Sequence, residues 1–209
     1  MTTIYHITHI DNLQTIVQLG GLWCDSECDK QSIASVGIAY ANLKNRRRRT
    51  QVPLKGGVLA DYVPFYFANR SPMLGAIHMG RVDGYSGGQE SVVYLISSVE
   101  LIAQTKVEWC FSDGHAVESL TRYFDTLSDL SNLDWPVIQS WRWQNTLEDP
   151  DRMRRKQAEF LVHSFFSWAW VESVAVMTPK MAHQAISIMQ PLSPKLVAVQ
   201  PRWYYDARK

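Results

Sequence analysis

Residues 155–162, Arg-Lys-Gln-Ala-Glu-Phe-Leu-Val, constrain this chain more than any other stretch. Their alternation sends Gln157 and Glu159 to one face of a strand and Ala158, Phe160 and Val162 to the other. A lone carboxylate on an otherwise apolar strand is costly to bury. Glu159 is therefore either held by a cation and hydrogen-bond donors or kept at a cleft for chemistry. The purely structural alternative is a strand-edge Glu paired with Arg155 or Lys156.

The hydrophobic pattern elsewhere predicts an α+β domain built on one core, spanning residues 1–209. A short strand over residues 4–7 leads into a helix from about 11 to 19, with apolar Leu13, Ile16 and Val17 and a Gly20-Gly21 stop. Residues 24–57 are polar, rich in Ser, Asn, Lys and Arg, and read as a long excursion outside the core; such ordered loops are usually functional. An aromatic strand at 62–68, a helix at 72–79, a β-branched strand at 92–99 and a helix at 115–125 follow. After the Glu159 strand come a strand at 171–177, a helix at 180–189 and closing strands at 196–199 and 202–205.

The net charge of +1 excludes a uniformly basic nucleic-acid coat but leaves room for local basic patches. Two clusters qualify: Lys44 with Arg46, Arg47, Arg48 and Arg49, and Arg152 with Arg154, Arg155 and Lys156. The Arg46–Arg49 run has an ordinary reading as a solvated surface loop. Eight Trp, nine Tyr and seven Phe supply rings that pack in a core or stack on bases and nicotinamide. Three cysteines cannot pair completely, and Cys24-x-x-x-Cys28 lacks the further ligands of a zinc site, so free thiols, no metal and a cytoplasmic location are expected. The amino terminus carries no charged-then-apolar leader, and no apolar run reaches the roughly 18 residues of a membrane span. The Gly-rich SGGQE at 86–90 lacks the Lys-Ser/Thr pair of a phosphate loop.

Three longer motifs carry a resemblance. The opening IYHITHIDNLQTIVQLGGL, the stretch YVPFYFANRSPML and the late Gln-x-Glu resemble the ADP-ribosyltransferase fold, a split β-sheet core with surrounding helices and long substrate-binding loops. Within it, YVPFYFANRSPML, FSDGHA at 111–116 and RKQAEFLV resemble the DarT family of bacterial toxins, over nearly the whole chain. The resemblance implies NAD as cosubstrate, thymine in single-stranded DNA as acceptor and a partner antitoxin of the DarG type, whose macrodomain removes the modification. It places the essential glutamate at Glu159 and the essential arginine in the run 46–49, where counting back from Val52-Pro53 selects Arg47. His6 occupies the polymerase-type histidine position and His9 the one preceding Asp-Asn, with Thr8 and Asn12 beside them. Tyr66, Met73 and His78 are placed to surround a flat ring, and no tyrosine falls near Ile77, where a second stacking one would stand. Gln157 is expected to orient the ribose or the acceptor. Arg46, Arg48, Arg49, Arg154, Arg155 and His115 are assigned to DNA.

The chemistry is consistent with these roles. Breaking the nicotinamide–ribose bond develops oxocarbenium character, which a carboxylate near the 2-hydroxyl stabilises. A guanidinium stays protonated and is a poor base, so the group that deprotonates thymine N3 is left open. Two alternatives stand beside this reading: an ADP-ribosyltransferase acting on RNA or protein, and a catalytically silent nucleic-acid binding module. The Gln157–Glu159 pair argues against the second, since a binder has no need of it.

Overall fold

A computed structural model describes residues 1–206. The elements are β1 (Thr3–His9), α1 (Asn12–Gln18), β2 (Gly21–Trp23), α2 (Asp25–Gln31), α3 (Ala41–Arg47), β3 (Tyr62–Tyr66), α4 (Pro72–His78), β4 (Val92–Ser98) and α5 (Val99–Ala103). β5 (Trp109–Ser112), β6 (Tyr123–Phe124), α6 (Trp135–Gln139), α7 (Arg152–Lys156), β7 (Glu159–His163), β8 (Phe165–Ser167), β9 (Ser173–Val176), α8 (Pro179–Met189) and β10 (Leu196–Val199) follow. Two helices start where the sequence signals a start. Ser71 Oγ accepts from the Leu74 N–H ahead of α4, Thr178 Oγ1 from the Met181 N–H ahead of α8, and each helix opens on proline.

Eight strands form one mixed sheet, in the order β10-β9-β4-β1-β3-β7-β5-β6. One face carries Ile4, Phe65, Val93, Phe160, Val162 and Val174, covered by Leu13 and Ile16 of α1 and by Met181 and Ala185 of α8. The other face packs Tyr94 and Ala175 against Leu74 and Ile77 of α4 and against Tyr204. Among the described residues no helix is long and apolar enough to cross a membrane.

The sheet is split at its centre. β1 pairs with β4 along its whole length, from Thr3↔Ser98 to His9↔Val92, yet meets β3 at one register pair, Tyr5↔Tyr66. Pro64 explains the parting. Its carbonyl points toward β1, so the N–H that proline lacks is the one that would have bonded there. The His6 ring takes the place of a strand partner, with Nδ1 donating to the Pro64 carbonyl at 2.8 Å.

Several expected elements differ. Residues 24–57 are not a bare excursion: they hold α2 and α3 and bury Ile38 and Val52. The expected helix at 115–125 is a turn followed by β6, because its backbone groups are already taken. The Ala116 N–H donates to Glu159 and the Asp113 N–H to the Arg122 carbonyl, while the His115 carbonyl accepts from Thr121 Oγ1. Residues 202–205 form no strand; Pro201–Trp203 is a 3-10 turn opened by proline. Gln157 terminates α7 rather than sharing a strand face with Glu159, so the alternation holds only from Ala158 onward. Short strands β2, β5, β6 and β8, lacking a long alternating run, add to the expected set.

Candidate active site

Glu159 is the first residue of β7, register partner of Tyr66, and is 3% exposed. Both of its oxygens have donors. Arg47 Nη1 lies 2.8 Å from Oε2, and the Ala116 N–H lies 2.9 Å from Oε1. Behind it, Ser112 Oγ accepts from the Glu159 N–H at 3.2 Å and donates to the Gly114 carbonyl at 2.7 Å, tying β5 to the start of β7. Arg47, the last residue of α3, is 8% exposed and also reaches the Leu59 carbonyl at 3.4 Å. Burial opposes its charge, but the Glu159 carboxylate more than offsets this and holds the guanidinium above its ordinary pKa. Removing either partner of such a pair strands a buried charge, at a cost of about 3–5 kcal/mol.

The pair forms the inner wall of a cleft of about 210 Å³ set in the parting between β1 and β3. His6 and Thr8 line it from β1. Burial pushes the His6 imidazole below its usual pKa, so the ring is neutral, and with Nδ1–H on Pro64 its Nε2 is the acceptor. Asn12 lines the cleft too, but its amide is engaged: Nδ2 donates to Thr8 Oγ1 and to the Val36 carbonyl, and Oδ1 accepts from the Val36 N–H at 2.7 Å. It thus pins the 33–39 segment over the opening. Tyr66 and Met73 face the cleft together, the hydroxyl 3.9 Å from the thioether sulfur. Burial, then the nearby Glu159 carboxylate, keeps the Tyr66 phenol protonated. His115 completes the wall; burial lowers its pKa and Arg47 adds to that, against the opposing pull of Glu159.

Other expected site residues lie elsewhere. His9, on the face of β1 opposite His6 and Thr8, packs edge-on to Tyr85, and its Nδ1 accepts from the Asp11 N–H. His78 stacks on Tyr205 and pairs with Asp206 at 2.9 Å, away from Tyr66 and Met73. The Gln157 amide donates to the Met153 carbonyl within its own helix. Of the four consecutive arginines only Arg47 turns inward. Arg46 pairs with Glu118 at 3.0 Å and Arg48 with Asp29 at 2.7 Å, while Arg49 is exposed. Arg154 is a brace rather than a free cation, bonded to Asp113, Asp151 and Thr121, and the missing Cβ of Gly114 is what lets its guanidinium lie there. Arg155 is held by Asp134, Asp149 and Asp151. Asp113 pairs with Arg122 as well as with Arg154.

The sequence pattern did not point to Ser112 or to the Ala116 N–H. Ser112 stands inside the FSDGHA motif, which was a usable signal; a backbone donor leaves no mark in the residue types. Cys24, Cys28 and Cys110 are free thiols, and Cys28 Sγ donates to the Trp23 carbonyl at 3.6 Å. Among the described residues no group of His, Cys, Asp or Glu is arranged to hold a metal ion.

A split sheet with a cleft at the parting and a carboxylate at its inner end is the architecture of an ADP-ribosyltransferase. Residues 5–205 match the family described as ssDNA thymidine ADP-ribosyltransferase, DarT. The chain belongs to the DarT family. It is 41% identical over 209 residues to a DNA ADP-ribosyl transferase of Thermus sp. strain 2.9, covering 98% of this chain and 96% of the relative. The solved structure of Thermus sp. 2.9 DarT with ADP-ribosylated ssDNA superposes with a TM-score of 0.91, at 41% identity and with 98% and 96% of the two chains covered. The same protein with NAD+ gives 0.87, at 38% identity and 98% coverage of each chain.

Proposed function

We propose that this chain, working as one domain in the cytoplasm, transfers ADP-ribose from NAD+ to N3 of thymine in single-stranded DNA. The buried Arg47–Glu159 pair at the inner end of the cleft carries this reading. The cleft's chemistry suits the dinucleotide: Tyr66 and Met73 flank a slot for a flat ring, and His6 and Thr8 offer polar atoms from the strand edge. Glu159 holds the ribose 2-hydroxyl and stabilises positive charge as the nicotinamide–ribose bond breaks and its electron pair leaves with nicotinamide. Arg47 shares that carboxylate and turns its remaining N–H groups to a carbonyl of the incoming base. A bond then forms from thymine N3 to the ribose carbon, and the N3 proton must go to a base. His115 is that acceptor, an imidazole kept neutral by burial. An adduct at N3 abolishes Watson–Crick pairing, which suits a toxin, and a DarG-type macrodomain antitoxin that removes it is the partner expected from the family.

The pH profile checks the role of His115. Its lowered pKa leaves the base form dominant at neutrality, so transfer is flat above the ordinary histidine value of 6.5 and declines only as pH falls below it. His115→Gln is expected to lose rate and that acid limb together. A variant that keeps the wild-type limb would assign the proton to another group.

Labelled NAD+ offered with DNA, RNA and protein tests the acceptor. Label is expected in thymine-containing single strands, little in the same sequence annealed to its complement, and none where thymine is N3-methylated. In a duplex N3 lies inside the base pair, and extruding the nucleotide costs a few kcal/mol. Efficient labelling of the duplex would defeat the single-strand reading. Label on RNA or protein alone would move the activity to another acceptor.

A further inference from the structure

Residues 113–116 bring two groups to the reacting carboxylate. The His115 ring stands in the cleft wall, and the Ala116 N–H lies 2.9 Å from Glu159 Oε1. Yet β5 ends at Ser112, and the residues that follow belong to no helix or strand. Reacting groups have to be held to within a fraction of an ångström, so a turn that presents two of them needs bracing from outside itself.

Arg154 braces it at three points. Its Nη1 donates to Asp113 Oδ1 at 2.9 Å, at the near end of the turn. The same nitrogen lies 3.2 Å from Thr121 Oγ1, which donates in turn to the His115 carbonyl at 2.8 Å. The Arg154 carbonyl accepts from the His115 N–H at 2.9 Å, beside the Gln157 N–H that closes α7. Asp151 takes the other edge of the guanidinium, 2.8 Å from both Nε and Nη2, so the planar fork is fixed in orientation. Asp113 is fixed as well, by the Arg122 N–H at 3.0 Å and by Arg122 Nε at 2.8 Å. With its side chain 14% exposed and all three nitrogens engaged, Arg154 is unsuited to a phosphate backbone. It stands five residues before Glu159, in the segment that runs from α7 into β7. One residue thus ties the turn to the strand that carries the carboxylate. Gly114 keeps the space open, since a Cβ there would come within 2.3 Å of Arg154 Nη1.

We propose that Arg154, acting through Asp113 and Thr121, is a positioning residue for the transfer, holding the 113–116 turn so that the Ala116 N–H meets Glu159 and His115 meets the acceptor. The His115 half rests on the reaction proposed above. The Glu159 half rests only on the bond from Ala116 to the carboxylate.

The test compares Gly114→Ala and Arg154→Ala, singly and combined. Gly114→Ala leaves every charge in place and displaces the guanidinium with one methyl group, whereas Arg154→Ala removes the guanidinium itself. Each should slow single-turnover nicotinamide release at saturating NAD+ by about ten-fold. NAD+ affinity should stay within about two-fold of wild type. The combined variant should be no slower than Arg154→Ala, because the added methyl then has nothing to displace. Arg154→Lys, which keeps the charge and loses the fork, should recover melting temperature more fully than rate. Binding to single-stranded DNA should keep its wild-type slope of log affinity against log salt, which loss of a phosphate contact would flatten by about 0.7. Gly114→Ala removes no hydrogen-bonding group and carries the comparison if Arg154→Ala fails to fold. A wild-type rate in either folded single variant, losses that multiply in the combined one, or a flattened salt slope each overturns the assignment. Nicotinamide release reports on Glu159 whatever the acceptor, so a wild-type protein that releases it without labelling DNA overturns the acceptor reading and leaves this comparison intact.

Discussion

Glu159→Gln is expected to reduce ADP-ribose transfer on the order of 100-fold or more while changing NAD+ affinity only modestly, the pattern of a lost electrostatic stabiliser of the transition state. Glutamine keeps the shape, but its one amide oxygen can accept from the Ala116 N–H or from Arg47 and not from both, so a lowered melting temperature is expected beside the rate loss. What it lacks is the negative charge that the developing oxocarbenium ion requires. Single-turnover transfer and calorimetric NAD+ binding, with a melting curve to establish folding, separate these effects. Near-normal turnover in folded Glu159→Gln would remove this carboxylate from the mechanism.

Arg47→Ala should be comparably severe, by about 100-fold or more at saturating NAD+ and DNA, because it takes a donor from the reacting centre and leaves the Glu159 charge buried without its partner. It should also lower the melting temperature. Arg47→Lys isolates the geometry: charge is kept, but the planar fork that reaches both Glu159 and the Leu59 carbonyl is lost, so the protein should recover stability more fully than rate. Arg48→Ala, which breaks an exposed pair with Asp29 and an exposed hydrogen bond to Asn45, should stay within about two-fold in rate, in keeping with the small worth of surface ion pairs. Equal and small losses in rate at both positions would remove Arg47 from the reacting centre.

Local pattern was enough for much of the scaffold. The β-branched run became β4, the aromatic run became β3, and the Ser-Pro and Thr-Pro starts became α4 and α8. The odd carboxylate at Glu159 marked the end of the cleft, since a charge at an apolar strand position needs a physical reason whatever surrounds it. These features are legible because periodicity and capping act between residues a few positions apart.

The tertiary structure decided what depends on distant partners. Arg46, Arg47, Arg48 and Arg49 are alike in sequence, and only the end of α3 determines which of them reaches Glu159, 112 positions away. The strand pleat sends His6 and His9 to opposite faces, and the position of Pro64 gives His6 a partner at the parting of the sheet. Residues 115–125 could have been helical by propensity; Glu159, Asp113 and Arg154 bind that backbone in another shape. Counting cations pointed to the runs at 46–49 and 152–156, but folding supplied most of them with carboxylates. Ion pairs and cavities are made by residues brought together only when the chain closes, so their composition cannot be read along it.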